Sequence, residues 1–176
     1  MDKVFFAKLH ELFLEFGLGK KMVLSTCVNN QVSSRMMSLV LLDGKFYFQT
    51  DLNLRKYQQL KSNPNVALCI DNLQIEGICE EIGHPLDNTA FCNAYERCYK
   101  HAFDSYTALK NERLFLVTPT YIERWVYKEK IPYLEVFKID KKRVSVNSIQ
   151  RRVKHFKPPK SYALVALSKK LAKDLL

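Results

Sequence analysis

Arg35-Met36-Met37-Ser38-Leu39-Val40-Leu41-Leu42-Asp43-Gly44-Lys45-Phe46-Tyr47-Phe48-Gln49-Thr50 is the stretch whose reading decides the fold. Asp-Gly between two apolar runs is the strongest short-range hairpin signal, because both central residues of the favoured turn need positive φ. Arg35–Leu42 and Phe46–Thr50 therefore read as two antiparallel strands. A third candidate, Met22–Val28, precedes them across the turn Asn29-Asn30-Gln31. Upstream, Val4, Phe5, Leu9, Leu12, Phe13 and Phe16 make one apolar stripe at helical spacing, and Gly17 and Gly19 end it.

Downstream, Asp51 or Asn53 can cap a helix through Leu54–Leu60, which stops before Asn63-Pro64. Val66–Asp71 and Leu73–Ile82 read as strands around Asp71-Asn72. Residues 87–109 read as a second long helix, rich in aromatics. Arg113–Thr118 and Tyr121–Tyr127 read as a strand pair around Pro119. Short strands joined by hairpin-length turns, with a helix in front and others between, predict an α+β, mainly β chain built as a small antiparallel β-barrel with flanking helices. No glycine-rich nucleotide motif and no βαβ alternation occurs, which excludes a doubly wound fold.

Composition agrees with a folded, soluble protein. The 176 residues are 47% hydrophobic and 26% charged. No apolar run exceeds six residues, against the roughly 20 of a membrane span. With no leader-like apolar block at the start, the expectation is a cytoplasmic protein without membrane partners. Five cysteines, an odd number with no CxxC pair, read as reduced core thiols. Cys98 and His101 lie three apart, but no second pair has zinc spacing, so no metal is expected.

The net charge of +10 is unevenly placed. Residues 1–137 balance, whereas 138–176 hold twelve Lys/Arg against Asp140 and Asp174. The chain thus reads as a body, 1–137, with a basic extension, 138–176, ending in a short helix after Pro158-Pro159. A nucleic-acid role for that extension is the weaker expectation, since no recognised module accompanies it.

Arg55-Lys56 opens a helix directly after a strand, where helix amides and dipole favour an anion. Thr50 offers a hydroxyl at that point. Arg35 can approach the same strand end, and both Arg35 and Lys56 are expected to face solvent there. With Ser34–Leu39, Phe46–Thr50, Leu54–Leu60, Asn63-Pro64 and Ile75-Glu76-Gly77 in this order, residues 20–127 resemble the pyridoxamine 5'-phosphate oxidase-like flavoproteins. The resemblance implies an FMN-binding split barrel and a homodimer holding FMN at the subunit interface. It implies that Arg35, Arg55 and Lys56 hold the phosphate, and that Met36, Met37 and Ser38 lie along the flavin ring. Gln49 and Thr50 would meet the ring or ribityl chain. Asn72 would reach the flavin from the other subunit, and Trp125 would approach it.

Hydride transfer through flavin N5 would make the protein an oxidoreductase needing no side-chain acid or base. Val40 replaces the lysine that true pyridoxamine phosphate oxidases carry, and Leu54 replaces a serine. Arg151–His155 lacks their late substrate signature. These departures point away from the vitamin conversion and leave FMN binding. The alternative is a split barrel that binds flavin or haem without turnover, with His84 or His101 as the axial ligand. Catalytic residues, substrate and electron donor stay open.

Overall fold

The computed structural model describes residues 3–149, and the proposed terminal helix and most of the basic extension lie outside them. Helix α1 spans Lys3–Phe16 and buries Phe5, Leu12 and Phe16. Gly17 follows at φ +75°, its N–H bonded to the Phe13 carbonyl at 3.1 Å, closing the helix in the left-handed conformation that glycine takes without strain. The next strands are β1 (Gly19–Val28), β2 (Gln31–Leu42) and β3 (Lys45–Asp51). Asn29 and Asn30, then Asp43 and Gly44, all take positive φ in the two connecting turns.

Helix α2 (Arg55–Ser62) leads to β4 (Asn65–Ile70), β5 (Leu73–Glu81) and a short 3₁₀ turn at Pro85–Asp87. Helix α3 (Thr89–Tyr106) follows, capped by Asn88, whose side chain accepts the Phe91 N–H at 2.9 Å. The chain continues through β6 (Glu112–Lys128), β7 (Ile131–Lys138) and β8 (Arg143–Ser148). The sheet runs β3-β2-β1-β4-β5-β6 and closes through β3–β6 pairing, with β7 and β8 added beside the far half of β6. Among the described residues this is a closed six-stranded antiparallel barrel with two extra strands and three helices, the α+β, mainly β architecture expected.

Inward residues of alternating parity fill the barrel, among them Met22, Leu24, Leu39, Phe48, Ile75 and Phe115. Phe48 and Phe115 stack at 5.5 Å between ring centroids. A smaller cluster sits outside the wall, where α3 lays Phe91, Ala94 and Tyr95 over Val40 and Leu114.

Three local expectations are corrected. Residues 112–128 form one strand, not a pair around Pro119. Proline has no N–H for a ladder, and here it stands opposite Gly77, where the β5–β6 register shifts. Thr120 is the extra residue of that bulge, so the strand bends without ending. Helix α2 begins after Leu54 with no side-chain cap, because the Asp51 carboxylate accepts the Asn53 N–H at 2.7 Å instead. Strands β7 and β8 extend the sheet beyond Tyr127, the last strand residue that the sequence predicts.

A Cβ on Gly77 would lie 2.6 Å from the Thr118 carbonyl oxygen, a backbone atom that cannot step aside. Gly77→Ala is expected to cost about 1–3 kcal/mol, the range of overpacking. A denaturation midpoint matching the parent's would show that the bulge relaxes freely.

Candidate functional site

The β2–β3 ladder is short. It joins Val40–Leu42 to Lys45–Tyr47 and then stops, while β3 continues to Asp51 against Arg113 and Glu112 of β6. At that parting of strands α2 begins. Lys56 on its first turn is half-buried, with its ammonium 3.6 Å from the Met37 sulfur. Burial pushes the ammonium below its usual pKa and the nearby Arg35 adds to this, while Glu112 opposes it. Arg55 is exposed beside them, close enough to lower the Arg35 guanidinium further after burial has done so. None of Arg35, Arg55 and Lys56 forms an ion pair among the described residues.

Arg35 departs from the expectation that it faces solvent. Its guanidinium donates to the Leu24 carbonyl at 3.3 Å, to Thr26 Oγ1 at 2.9 Å and to Gln59 Oε1. Thr26 in turn donates to Gln59 Oε1 at 2.9 Å. Arg35 therefore ties β2 and β1 to α2, and Arg55 and Lys56 are the cations left for a ligand. The sequence could not reveal this, because Gln59 belongs to α2, which only tertiary packing brings to the β1–β2 hairpin that supplies the other two acceptors.

Thr50 is buried at the end of β3. Its Oγ1 and Glu112 Oε2 are the buried side-chain oxygens without a hydrogen-bond partner among the described residues. Buried polar atoms normally find one. Glu112 was not singled out by sequence, since nothing marks an ordinary acid at the start of a strand. Its carboxyl is pushed up to about 7, first by burial and then by Asp51, against the pull of Lys56. Gln49 is buried next to Thr50 and accepts from the Thr107 hydroxyl at 3.0 Å. Along β2, Met36 is exposed, Met37 is buried, and Ser38 is half-buried in a hydrogen bond with Tyr95. Cations without carboxylate partners, an unpartnered buried hydroxyl and a helix start fit a phosphoester such as that of FMN.

Asn72 and Trp125 form a separate group. The Trp125 N–H donates to the Asn72 carbonyl at 3.0 Å, and the Asn72 side-chain amide donates to the Trp125 carbonyl. Both line a cavity of about 390 Å³ with Phe16, Lys20, Arg124 and Tyr127. Within one chain this cavity shares no lining residue with the cation cluster. The ten predicted site residues thus fall into two sets, eight around the β2–β3 parting and two at the α1–β6 cavity.

His84 is already engaged. Its Nδ1 accepts the Leu86 N–H at 3.2 Å, and its Nε2 lies 3.0 Å from the Leu109 carbonyl. Among the described residues no three His, Cys, Asp or Glu side chains converge as metal ligands. No helix among them is long and apolar enough to cross a membrane.

Comparison with known proteins places these features in a family. Residues 13–126 match the family model described as pyridoxamine 5'-phosphate oxidase. No curated protein matches the chain. Among solved structures, a pyridoxamine 5'-phosphate oxidase-related, FMN-binding protein from Nostoc punctiforme aligns with TM-score 0.55 and 15% identity, covering 84% of this chain and 96% of that one. A protein related to general stress protein 26, from Clostridium acetobutylicum, aligns with TM-score 0.54 and 21% identity over 81% of this chain and 100% of its own. The haem storage protein HutZ from Vibrio cholerae aligns with TM-score 0.51 and 15% identity over 64% and 88%. At these identities the likeness is one of fold.

Proposed function

The chain belongs to the pyridoxamine 5'-phosphate oxidase family, and from that premise we propose that it is an FMN-binding oxidoreductase, a homodimer carrying the cofactor at the subunit boundary. The observation that carries the reading is the cluster at the β2–β3 parting. There Arg55 and Lys56 open α2 just past the end of β3, where the buried Thr50 hydroxyl has no partner, and neither cation forms an ion pair among the described residues.

Arg55 and Lys56 would hold the phosphate by charge-assisted hydrogen bonds, and Thr50 would donate its hydroxyl proton to a phosphate or ribityl oxygen. Arg35 would fix the β2–α2 corner and add positive potential. Met36, Met37 and Ser38 would border the ring, and Gln49, held by Thr107, would present its amide. Asn72 and Trp125 of the second subunit would complete the cleft, which accounts for their distance from the cations within one chain. When bound, FMN supplies hydride acceptance and donation at N5. Val40 is fully buried beneath α3, so no cation stands where the vitamin-converting enzymes place one. The substrate is accordingly read as a different small molecule.

The haem alternative is less well supported. It wants a free imidazole, and both ring nitrogens of His84 are occupied by backbone partners. His101 is exposed on α3, outside the cation cluster.

The test is to purify the full chain, denature it and weigh the small molecule released. FMN supports the reading; haem, FAD, a deazaflavin or nothing overturns it. A parallel sedimentation run is expected to give a dimer at micromolar concentration. A monomer that retains FMN would overturn the shared cleft.

A further inference from the structure

Arg124 is 8% exposed, yet it lines the cavity of about 390 Å³ between α1 and β6, a volume within the range of small-molecule pockets. Two of its three guanidinium nitrogens are engaged. Nε donates to Glu135 at 2.7 Å and Nη1 to Glu15 at 2.6 Å. Nη2 donates to nothing among the described residues, and it is not one of their buried, unpartnered atoms, so it touches solvent. A nine-tenths buried cation thus keeps one nitrogen, with two N–H donors, unused and open.

Charge and shape narrow the ligand. Arg124 is the most buried polar side chain on the cavity wall, and it can only donate. Lys20, exposed on the same wall, forms no ion pair among the described residues, and its ammonium stands 5.6 Å from the Phe16 ring centroid. The carboxylates that line the cavity, Glu15 and Asp71, are exposed and therefore hydrated. Glu15 already shows that this guanidinium takes a carboxylate at 2.6 Å. Trp125 and Tyr127, both exposed, offer faces on which a planar ring can stack. An acid group suits the planar guanidinium, and an aromatic body suits the walls.

We propose that this cavity binds a small aromatic carboxylate, its acid group on Arg124 and its ring against Trp125 or Tyr127, with Lys20 adding charge at the mouth and Glu15 competing for the guanidinium. Binding needs only the cavity of one chain. That the acid is the substrate of the oxidoreductase rests on the FMN reading, which would set Trp125 against the partner's flavin.

The experiment titrates benzoate and its neutral isostere benzamide into the full chain, by calorimetry and by the emission of Trp125, the single tryptophan. Benzoate is expected to bind at least about tenfold more tightly than benzamide, the worth of one charge-assisted contact. Glu15→Gln is expected to tighten benzoate by about two- to fivefold and Lys20→Ala to weaken it by a similar factor, with benzamide unmoved by either. Arg124→Met combined with Glu135→Leu, which removes both buried charges together, is expected to abolish the preference. Equal affinity for the two probes, or a preference that the double variant keeps, overturns the site. Should the double variant not fold, the two surface variants decide, and benzoate affinity unchanged in both overturns it as well. Benzoate that binds without moving the flavin absorption band of the FMN-loaded protein overturns the substrate role alone. An Arg124-dependent preference in a chain that binds no FMN overturns the flavin reading and leaves the site standing.

Discussion

Alanine at both Arg55 and Lys56 is expected to lower FMN affinity by about two to four decades while the apo protein melts as the parent does. Each charge-assisted contact to a phosphate contributes roughly 1.5–3 kcal/mol, so losing two costs ~3–6 kcal/mol. Stability should hold because neither side chain supports the fold. Arg55 is exposed, and the ammonium of Lys56 meets a methionine sulfur. Alanine is also a better helix former than either residue, so the change should stay within about 0.5 kcal/mol. Riboflavin, which lacks the phosphate, should bind both proteins alike. FMN fluorescence titrations check the first part and apo melts the second. Equal FMN affinity would place the phosphate elsewhere. Arg35→Ala is the contrasting variant: it strips donors from Leu24, Thr26 and Gln59, and is expected to cost about 1–3 kcal/mol of stability.

That contrast shows which parts of this site a sequence can disclose. The hairpin at Asp43-Gly44, the helix start at Arg55 and the closing glycine at position 17 are local facts, set by φ preferences and capping within a few residues. They were legible, and with them the barrel. The bond from Arg35 to Gln59 depends on α2 packing against β1, and the unpartnered Thr50 hydroxyl and the burial of Glu112 depend on closure between β3 and β6, neither of which a local pattern encodes. Pro119 misled for a related reason. Proline usually interrupts a ladder, and only the register shift opposite Gly77 lets β6 run past it. The second half of the proposed cleft is implied by the family resemblance alone, because Asn72 and Trp125 meet the cations only if a second subunit supplies them.

Glu135→Ala is expected to destabilise the protein by ~3–5 kcal/mol, the cost of orphaning a buried charge. A glutamate in mid-strand carries no local sign of burial. In the fold it is 2% exposed. It accepts from Lys8 of α1 at 2.8 Å and from Arg124 of β6 at 2.7 Å. Arg124 is itself buried and reaches Glu15 of α1 at 2.6 Å. Removing Glu135 leaves Arg124 with one half-solvated partner and frees Lys8, so the strap between α1 and the barrel loosens at both ends. Burial alone would raise the Glu135 carboxyl, but hydrogen bonds from Lys8 and Arg124 outweigh it and hold the group below its ordinary value. The stability it contributes is therefore present above about pH 4.5 and is lost as pH falls through its lowered pKa. Wild type and Glu135→Ala should converge in stability at strongly acid pH and separate above pH 5. Trp125 is the single tryptophan and lines the cavity beside Arg124, so its emission reports the same unfolding from the affected wall. Pairing Glu135→Leu with Arg124→Met should recover much of the loss, since it removes both buried charges together. A Glu135→Ala loss below about 1 kcal/mol at pH 7, or a double variant no better than the single one, would show that the strap is incidental to the fold.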